Sequence, residues 1–200
     1  MRIPRSILCL VAIPLLAGPL NQGDRDFALS QLHATRKMVL DAIDGLSEAQ
    51  WKFKPAPDRW SIAEIVEHLI LTEESMMGWT KKVLETPAVE GRSASRAADE
   101  KLYAGYLDRS HKASAPAELR PSTGNWPTPA AAAQEFASRR DRTLEYVRTT
   151  QDDLRGHLTK GPGGDMDAYQ MVLLNAAHTE RHMAQLNEVK AAPGYPTARK

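Results

Sequence analysis

The segment MVLLNAAHTERHMAQLNEVK, residues 171–190, has the pattern that decides the fold. Its apolar residues recur every three or four positions, which is the period of one face of an α-helix. That face comprises Met171, Leu174, His178, His182, Leu186 and Val189. Because His178 and His182 are four residues apart, both imidazoles lie on the same side of the helix. The segment therefore predicts a helix packed in a core and carrying a histidine pair on its inner face.

A second amphipathic helix, predicted over residues 61–84, supplies a third inward histidine. Its inner face groups Ile62, Ile65, Leu69, Thr72, Met76 and Trp79, with His68 at one margin. A single buried histidine is most often satisfied by hydrogen bonds within the core. Three histidines in one apolar core need several partners at once, and a metal ion can supply them. The spacing alone leaves both interpretations open.

The rest of the chain predicts two more long helices. The first helix is predicted over residues 24–46 and the third over residues 128–154, where Thr128 and Pro129 suit the N-cap and first helical position. The second helix is predicted to begin at Ser61, which forms a capping box with Glu64, and the last occupies about residues 167–191. Four amphipathic helices of this length predict an all-α, four-helix bundle.

The connection between helices two and three, residues 87–127, is unusually long. It is rich in Pro, Gly, Ser and Ala, and it contains only a weak helical pattern at residues 99–109. The sequence therefore predicts a long crossover rather than a tight turn, and connections of this length often carry function.

The N-terminal residues 1–23 predict a signal peptide followed by a short leader. A basic start precedes an apolar run at residues 7–16, which is too short for the roughly 20 residues that span a bilayer. Cleavage would export the protein to the periplasm or medium without stable membrane insertion, and an uncleaved anchor is the alternative. The single cysteine, Cys9, would leave with the signal. The bundle is then expected at residues 24–192, followed by a tail at residues 193–200.

The composition excludes several functional classes. The chain has 200 residues, 42% of them hydrophobic, which suits one domain with a sizeable core. Its net charge of +1 comes from interspersed signs, so no basic stripe predicts a nucleic-acid partner. The sequence also has no Gly-rich phosphate loop and no G-x-S-x-G motif. A metal is then the main chemical resource of the mature chain.

Two stretches resemble the DinB-like superfamily, which includes YfiT-type proteins. They are residues 51–69, with a W-x-F-x-P followed by DRWSIAEIVEHL, and residues 177–186, AHTERHMAQL, within a similarity that spans about residues 25–191. The resemblance implies a four-helix bundle that binds a divalent metal through three histidines, one on the second helix and two on the last. The matching positions in this chain are His68, His178 and His182. Zinc, nickel and iron all suit such a ligand set.

The resemblance also implies a range of activities without selecting one. Some members transfer low-molecular-weight thiols, and many have no assigned reaction. The sequence therefore predicts a metal-dependent transferase of the thiol S-transferase type, or a hydrolase, acting on a small molecule such as a low-molecular-weight thiol. A non-catalytic metal- or ligand-binding module is the alternative, and a homodimer is left open.

Other residues have two interpretations each. Arg140, on the inner face of helix three, is a candidate to bind an acidic group of a substrate, although a snorkelling or ion-paired arginine is the simpler interpretation. Glu67 and Glu180 are predicted to point away from the histidines. Three further histidines are expected to be solvent-exposed: His33, His111 and His157. Three tryptophans are expected either to line a pocket or to pack at helix ends: Trp60, Trp79 and Trp126.

Overall fold

The computed structural model describes residues 18–89, 95–110, 114–122, 124–161 and 164–197. Within these ranges the chain forms six α-helices, one 3₁₀ turn and a two-stranded hairpin. In chain order they are α1 (Gln22–Ile43), α2 (Glu48–Lys52), α3 (Ile62–Leu84), α4 (Arg96–Leu107), the 3₁₀ turn (Ala117–Leu119), α5 (Pro129–Thr149), β1 (Leu158–Gly161), β2 (Gly164–Asp167) and α6 (Ala168–Ala191).

Side-chain caps fix where the long helices begin. Ser61 accepts a hydrogen bond from the Glu64 backbone at 3.2 Å, and Glu64 accepts one from the Ser61 backbone at 2.7 Å, which is the predicted capping box. Asp167 and Gln170 form an equivalent box at the start of α6. Thr128 caps α5, with Pro129 in its first turn, as predicted. These caps place His68 in the second turn of α3 and the histidine pair near the middle of α6.

The four long helices, α1, α3, α5 and α6, form the bundle, and α6 packs against α1, α3 and α4. Their apolar side chains form two clusters. One contains Leu32, Leu144, Tyr169 and Leu173, and the other contains Val39, Ile65, Phe136 and Leu186. The predicted all-α, four-helix class is confirmed, with the long crossover between α3 and α5.

A layer of polar side chains lies between the two apolar clusters and crosses all four long helices. Each helix contributes at least one buried polar residue at this level, and the layer consists of Thr35 on α1, His68 and Glu73 on α3, Arg140 and Thr143 on α5, and His178 and Thr179 on α6. Buried polar groups need partners, so this layer is where the fold concentrates its specific interactions.

The structure differs from the sequence prediction at several element boundaries. Helix α1 begins at Gln22, inside the predicted leader, and α5 ends at Thr149 instead of near residue 154. The β1–β2 hairpin was not predicted, because two four-residue strands are too short to show a clear alternation. The weak helical pattern in the crossover forms α4, which is stabilised by packing on α6.

Residues 1–17, with the predicted signal peptide and Cys9, lie outside the described residues, as does His111. None of the helices in the described part of the chain is long and apolar enough to cross a membrane.

Candidate metal centre

The structure brings His68, His178 and His182 together between α3 and α6. One ring nitrogen from each histidine lies within 4.8 Å of one from each of the others. The Nε2 atoms of His68 and His178 are 3.1 Å apart. His68 and His178 are buried, and His182 is partly buried at the edge of the cluster. The three histidines that the sequence places on inner helix faces therefore form one spatial cluster.

Two of the three rings are oriented by hydrogen bonds through Nδ1. His68 Nδ1 lies 2.7 Å from the Leu119 carbonyl, and His182 Nδ1 lies 2.9 Å from Gln185 Oε1. Each of these partners is a hydrogen-bond acceptor, so Nδ1 carries the proton and Nε2 keeps its lone pair. The buried Nδ1 of His178 has no hydrogen-bond partner in the described part of the chain.

Burial keeps all three imidazoles neutral. It is the largest cause that lowers the pKa of His178 well below the ordinary 6.5, and the neighbouring rings of His182 and His68 lower it further. Burial likewise lowers the pKa of His182 to about 3, and it lowers that of His68 against the opposing hydrogen bond to Leu119. Neutral imidazole is the form that binds a metal. Three lone pairs converging at this spacing fit a divalent ion with one position open.

A cavity of about 560 Å³ opens over the three histidines. Trp60 forms part of its wall, with its ring stacked at 6.2 Å on His182 and tilted at 5.0 Å from His68. Met76, Trp79 and Tyr106 add further apolar surface. The cavity is large enough to admit a small organic molecule to the ring nitrogens.

Part of the crossover covers this cavity, and we call residues 114–122 the strap. Its Leu119 carbonyl accepts the hydrogen bond from His68 described above. Glu67, the preceding residue of α3, accepts hydrogen bonds from the Ser122 backbone at 2.9 Å and from its hydroxyl at 3.1 Å. Two consecutive residues of α3 therefore hold the strap. Glu67 points away from the histidines as predicted, but it is a buried anchor, only 5% exposed.

Arg140 does not reach the cavity. Its five hydrogen bonds go to both carboxylate oxygens of Glu73 at 2.9 and 2.8 Å, to Thr35 and the Leu32 carbonyl, and to Thr179. A guanidinium has five N–H donors, so all are used. The ion-paired interpretation is the correct one, and Arg140 is not a substrate-binding residue.

The other predicted candidates are dispersed. Glu180 accepts a 2.8 Å hydrogen bond from the Tyr103 hydroxyl, and His33 is exposed. His157, predicted to be exposed, is half-buried, and its Nδ1 lies 2.6 Å from the Thr86 carbonyl. Trp79 lines the histidine cavity, whereas Trp126 lines a separate cavity of about 370 Å³.

The fold and this cluster together define a four-helix bundle whose second and last long helices present three histidines to an open cavity. The chain belongs to the DinB superfamily, whose sequence pattern matches residues 31–186. The resemblance found in the sequence is thereby confirmed.

Two proteins of Bacillus subtilis are similar to the chain. YuaE of strain 168, itself uncharacterized, is 24% identical over 176 residues, which cover 81% of this chain and 96% of that protein. The structure of YfiT, described as a probable metal-dependent hydrolase with an unusual four-helix bundle topology, superposes with a TM-score of 0.57 at 15% identity, covering 88% of this chain and 91% of that one. At this identity the likeness establishes the fold.

Proposed function

We propose that the protein is a metal-dependent hydrolase of small molecules, with His68, His178 and His182 as the ligands of a divalent ion. One observation carries the proposal: three neutral imidazoles converge at the base of an open cavity of about 560 Å³. Three histidine ligands with a free position are the arrangement of catalytic zinc-type centres. The description of YfiT as a probable metal-dependent hydrolase supports the same chemistry.

A divalent ion in such a site polarises a carbonyl or phosphoryl group and lowers the pKa of water. The protein's own residues position the reaction. Hydrogen bonds from His68 to Leu119 and from His182 to Gln185 fix the two rings, and Trp60 packs beside both of them.

Two residues that line the cavity can accept or donate a proton. Among the described residues lining the cavity, Asp58 is the carboxylate, and it can accept a proton. Burial raises the pKa of the Tyr106 hydroxyl, which therefore stays protonated and can donate. We propose these two side chains as the proton acceptor and donor of the reaction.

The test combines metal analysis with turnover. Purified protein is expected to carry about one divalent ion per chain and to hydrolyse members of a panel of small esters and amides. His178→Ala should lose most of the metal and the activity, because two ligands leave the ion under-coordinated. His33→Ala, which changes an exposed histidine, should keep both.

Other outcomes would replace the proposal. If an electrophilic substrate is consumed only when a small thiol is added, and no hydrolysis occurs, the protein is a thiol S-transferase. Metal binding without any turnover would identify a non-catalytic module. Unchanged metal content in both His178→Ala and His68→Ala would overturn the ligand assignment.

A further inference from the structure

The histidine cavity is lined by more cationic than anionic side chains. Four arginines line it, namely Arg59, Arg109, Arg120 and Arg181, against the single carboxylate of Asp58 among its described lining residues. The three histidines are neutral, so they leave this charge unchanged, and a divalent ion would add to it. A cavity lined by one sign of charge concentrates ligands of the opposite sign.

Two of the arginines already share a carboxylate. Arg109 binds Glu188 through both terminal nitrogens at 2.7 and 3.1 Å, and Arg59 binds the same carboxylate at 3.0 Å. Their charge is therefore partly neutralised. They are therefore less available to an anionic ligand.

Arg120 differs from them. Its Nε donates to the Ala115 carbonyl at 3.1 Å, which folds the side chain back over the strap. Its two terminal nitrogens make no hydrogen bond within the part of the chain that the structure describes. A planar guanidinium with two unused terminal nitrogens matches the two oxygens of a carboxylate.

The position of Arg120 in the chain links it to the histidines. It directly follows Leu119, whose carbonyl orients the His68 ring. The strap therefore places one free guanidinium fork and one metal-ligand partner at the same cavity. The same cavity is also lined by the apolar side chains of Trp79, which is 36% exposed, and Met76.

We propose that the substrate is a small organic carboxylate, with its anionic group on Arg120 and its aryl or alkyl part against Trp79 and Met76. A carboxylate suits the site because one un-neutralised guanidinium fork is available for one such group. This inference rests on the proposed hydrolase cavity and specifies its substrate class.

The test compares three molecules of the same shape: phenylbutanoate, phenylbutanol and phenylbutylamine. Their binding to the metal-loaded full protein is measured by calorimetry. Phenylbutanoate is expected to bind at least tenfold more tightly than phenylbutanol, and phenylbutylamine is expected to bind most weakly. In Arg120→Gln the advantage of phenylbutanoate over phenylbutanol should fall about tenfold, with the affinity for phenylbutanol unchanged. Arg142→Gln, which removes an exposed arginine of α5 outside the cavity, should behave as the wild type.

Two results would overturn the proposal. Equal or undetectable binding of all three molecules would show that the cavity does not select carboxylates. A preference that persists in Arg120→Gln would place the carboxylate elsewhere, on the ion or another arginine. Metal content and ester hydrolysis are measured on the same preparations. Selective carboxylate binding without hydrolysis would then refute only the proposed hydrolase, and hydrolysis without selective binding only this inference.

Discussion

Burial disfavours the protonated form of each histidine in the cluster. A ring whose pKa is lowered by burial binds fewer protons in the folded than in the unfolded protein at pH values between the two pKa values. The stability that each neutral ring allows is therefore fully present above about pH 6.5, the pKa of the ring in the unfolded protein. It is lost as the pH falls toward the pKa of the ring in the folded protein, which is about 3 for His182.

We expect the chelated, metal-free protein to become less stable by about 1.4 kcal/mol per pH unit for each ring that stays neutral, from about pH 6.5 downward. Urea unfolding at a series of pH values measures this slope. His182→Gln should flatten it, and His33→Gln should leave it as in the wild type. Identical slopes in all three proteins would show that His182 is not a buried neutral ring.

Arg140 offers a second test at the residue scale. Arg140→Met leaves the Glu73 carboxylate buried with only the Thr143 hydroxyl, at 2.7 Å, as its hydrogen-bond donor among the described residues. Breaking a buried ion pair by removing one partner costs about 3–5 kcal/mol. The double change Arg140→Met with Glu73→Leu removes both charges, so it should recover most of that loss in urea unfolding. A double variant no more stable than the single one would contradict this account.

The sequence revealed the histidines but not the residues around them. His68, His178 and His182 stand out because they interrupt apolar faces whose helical period is visible along the chain. Glu67 and Leu119 act through contacts between α3 and the strap, and no local pattern marks contacts across about 50 residues. The capping box at Ser61 is local, and it was predicted correctly.

At the scale of elements, the strap depends on α3 for its position. Glu67→Ala removes the acceptor for both Ser122 hydrogen bonds and should loosen the strap, including the Leu119 carbonyl that orients His68. Metal affinity is then expected to fall about tenfold, the lower end of the effect of losing an outer partner of a metal ligand.

Two measurements check this prediction. Competition with a chelator gives the metal affinity, and a Glu-specific protease reports access to the exposed Glu118 in the strap. Glu74→Ala is the matched control, because Glu74 is exposed on the same helix and pairs with Arg139. The strap would have no influence on the site if Glu67→Ala and Glu74→Ala gave the same affinity and the same cleavage rate.

Some element boundaries can be predicted from the sequence and others cannot. The long helices were predicted to within a few residues at most of their ends, because caps and apolar faces lie in the local sequence. The β1–β2 hairpin and the end of α5 were missed. The hairpin is fixed by cross-strand pairs such as Thr159 with Met166, and by the packing of Met166 in the core, which are not visible as a period.

At the scale of the whole molecule, metal and stability should be coupled. A ligand that binds only the native state stabilises it by RT ln(1 + [L]/Kd), about 2.7 kcal/mol at a hundredfold excess over Kd. We expect chelation to lower the melting temperature of the wild type by several degrees while helicity persists, because the two apolar clusters do not require the ion. His182→Ala should respond much less. Equal shifts in both proteins, or none, would exclude the histidines as the ligands.

Export stays a prediction from the sequence, and we propose a narrower cleavage region for it. Leu20 is buried in the core and Asn21 caps α1 by accepting a 2.9 Å hydrogen bond from the Asp24 backbone. Cleavage is therefore expected after Ala17 but before Leu20, which keeps both residues. Intact mass of protein from the periplasm or medium checks this, and a full-length mass in the soluble cytosolic fraction would contradict export.

The partners of the three imidazoles carry one more consequence. His68 donates to a backbone carbonyl, His182 to an amide oxygen, and His178 Nδ1 has no partner among the described residues, so no carboxylate there accepts a hydrogen bond from Nδ1 of any of the rings. An anionic acceptor would have made the imidazoles more basic and pushed electron density onto the ion. These rings donate weakly, and a divalent ion held by them would keep more of its own charge for whatever occupies the fourth position.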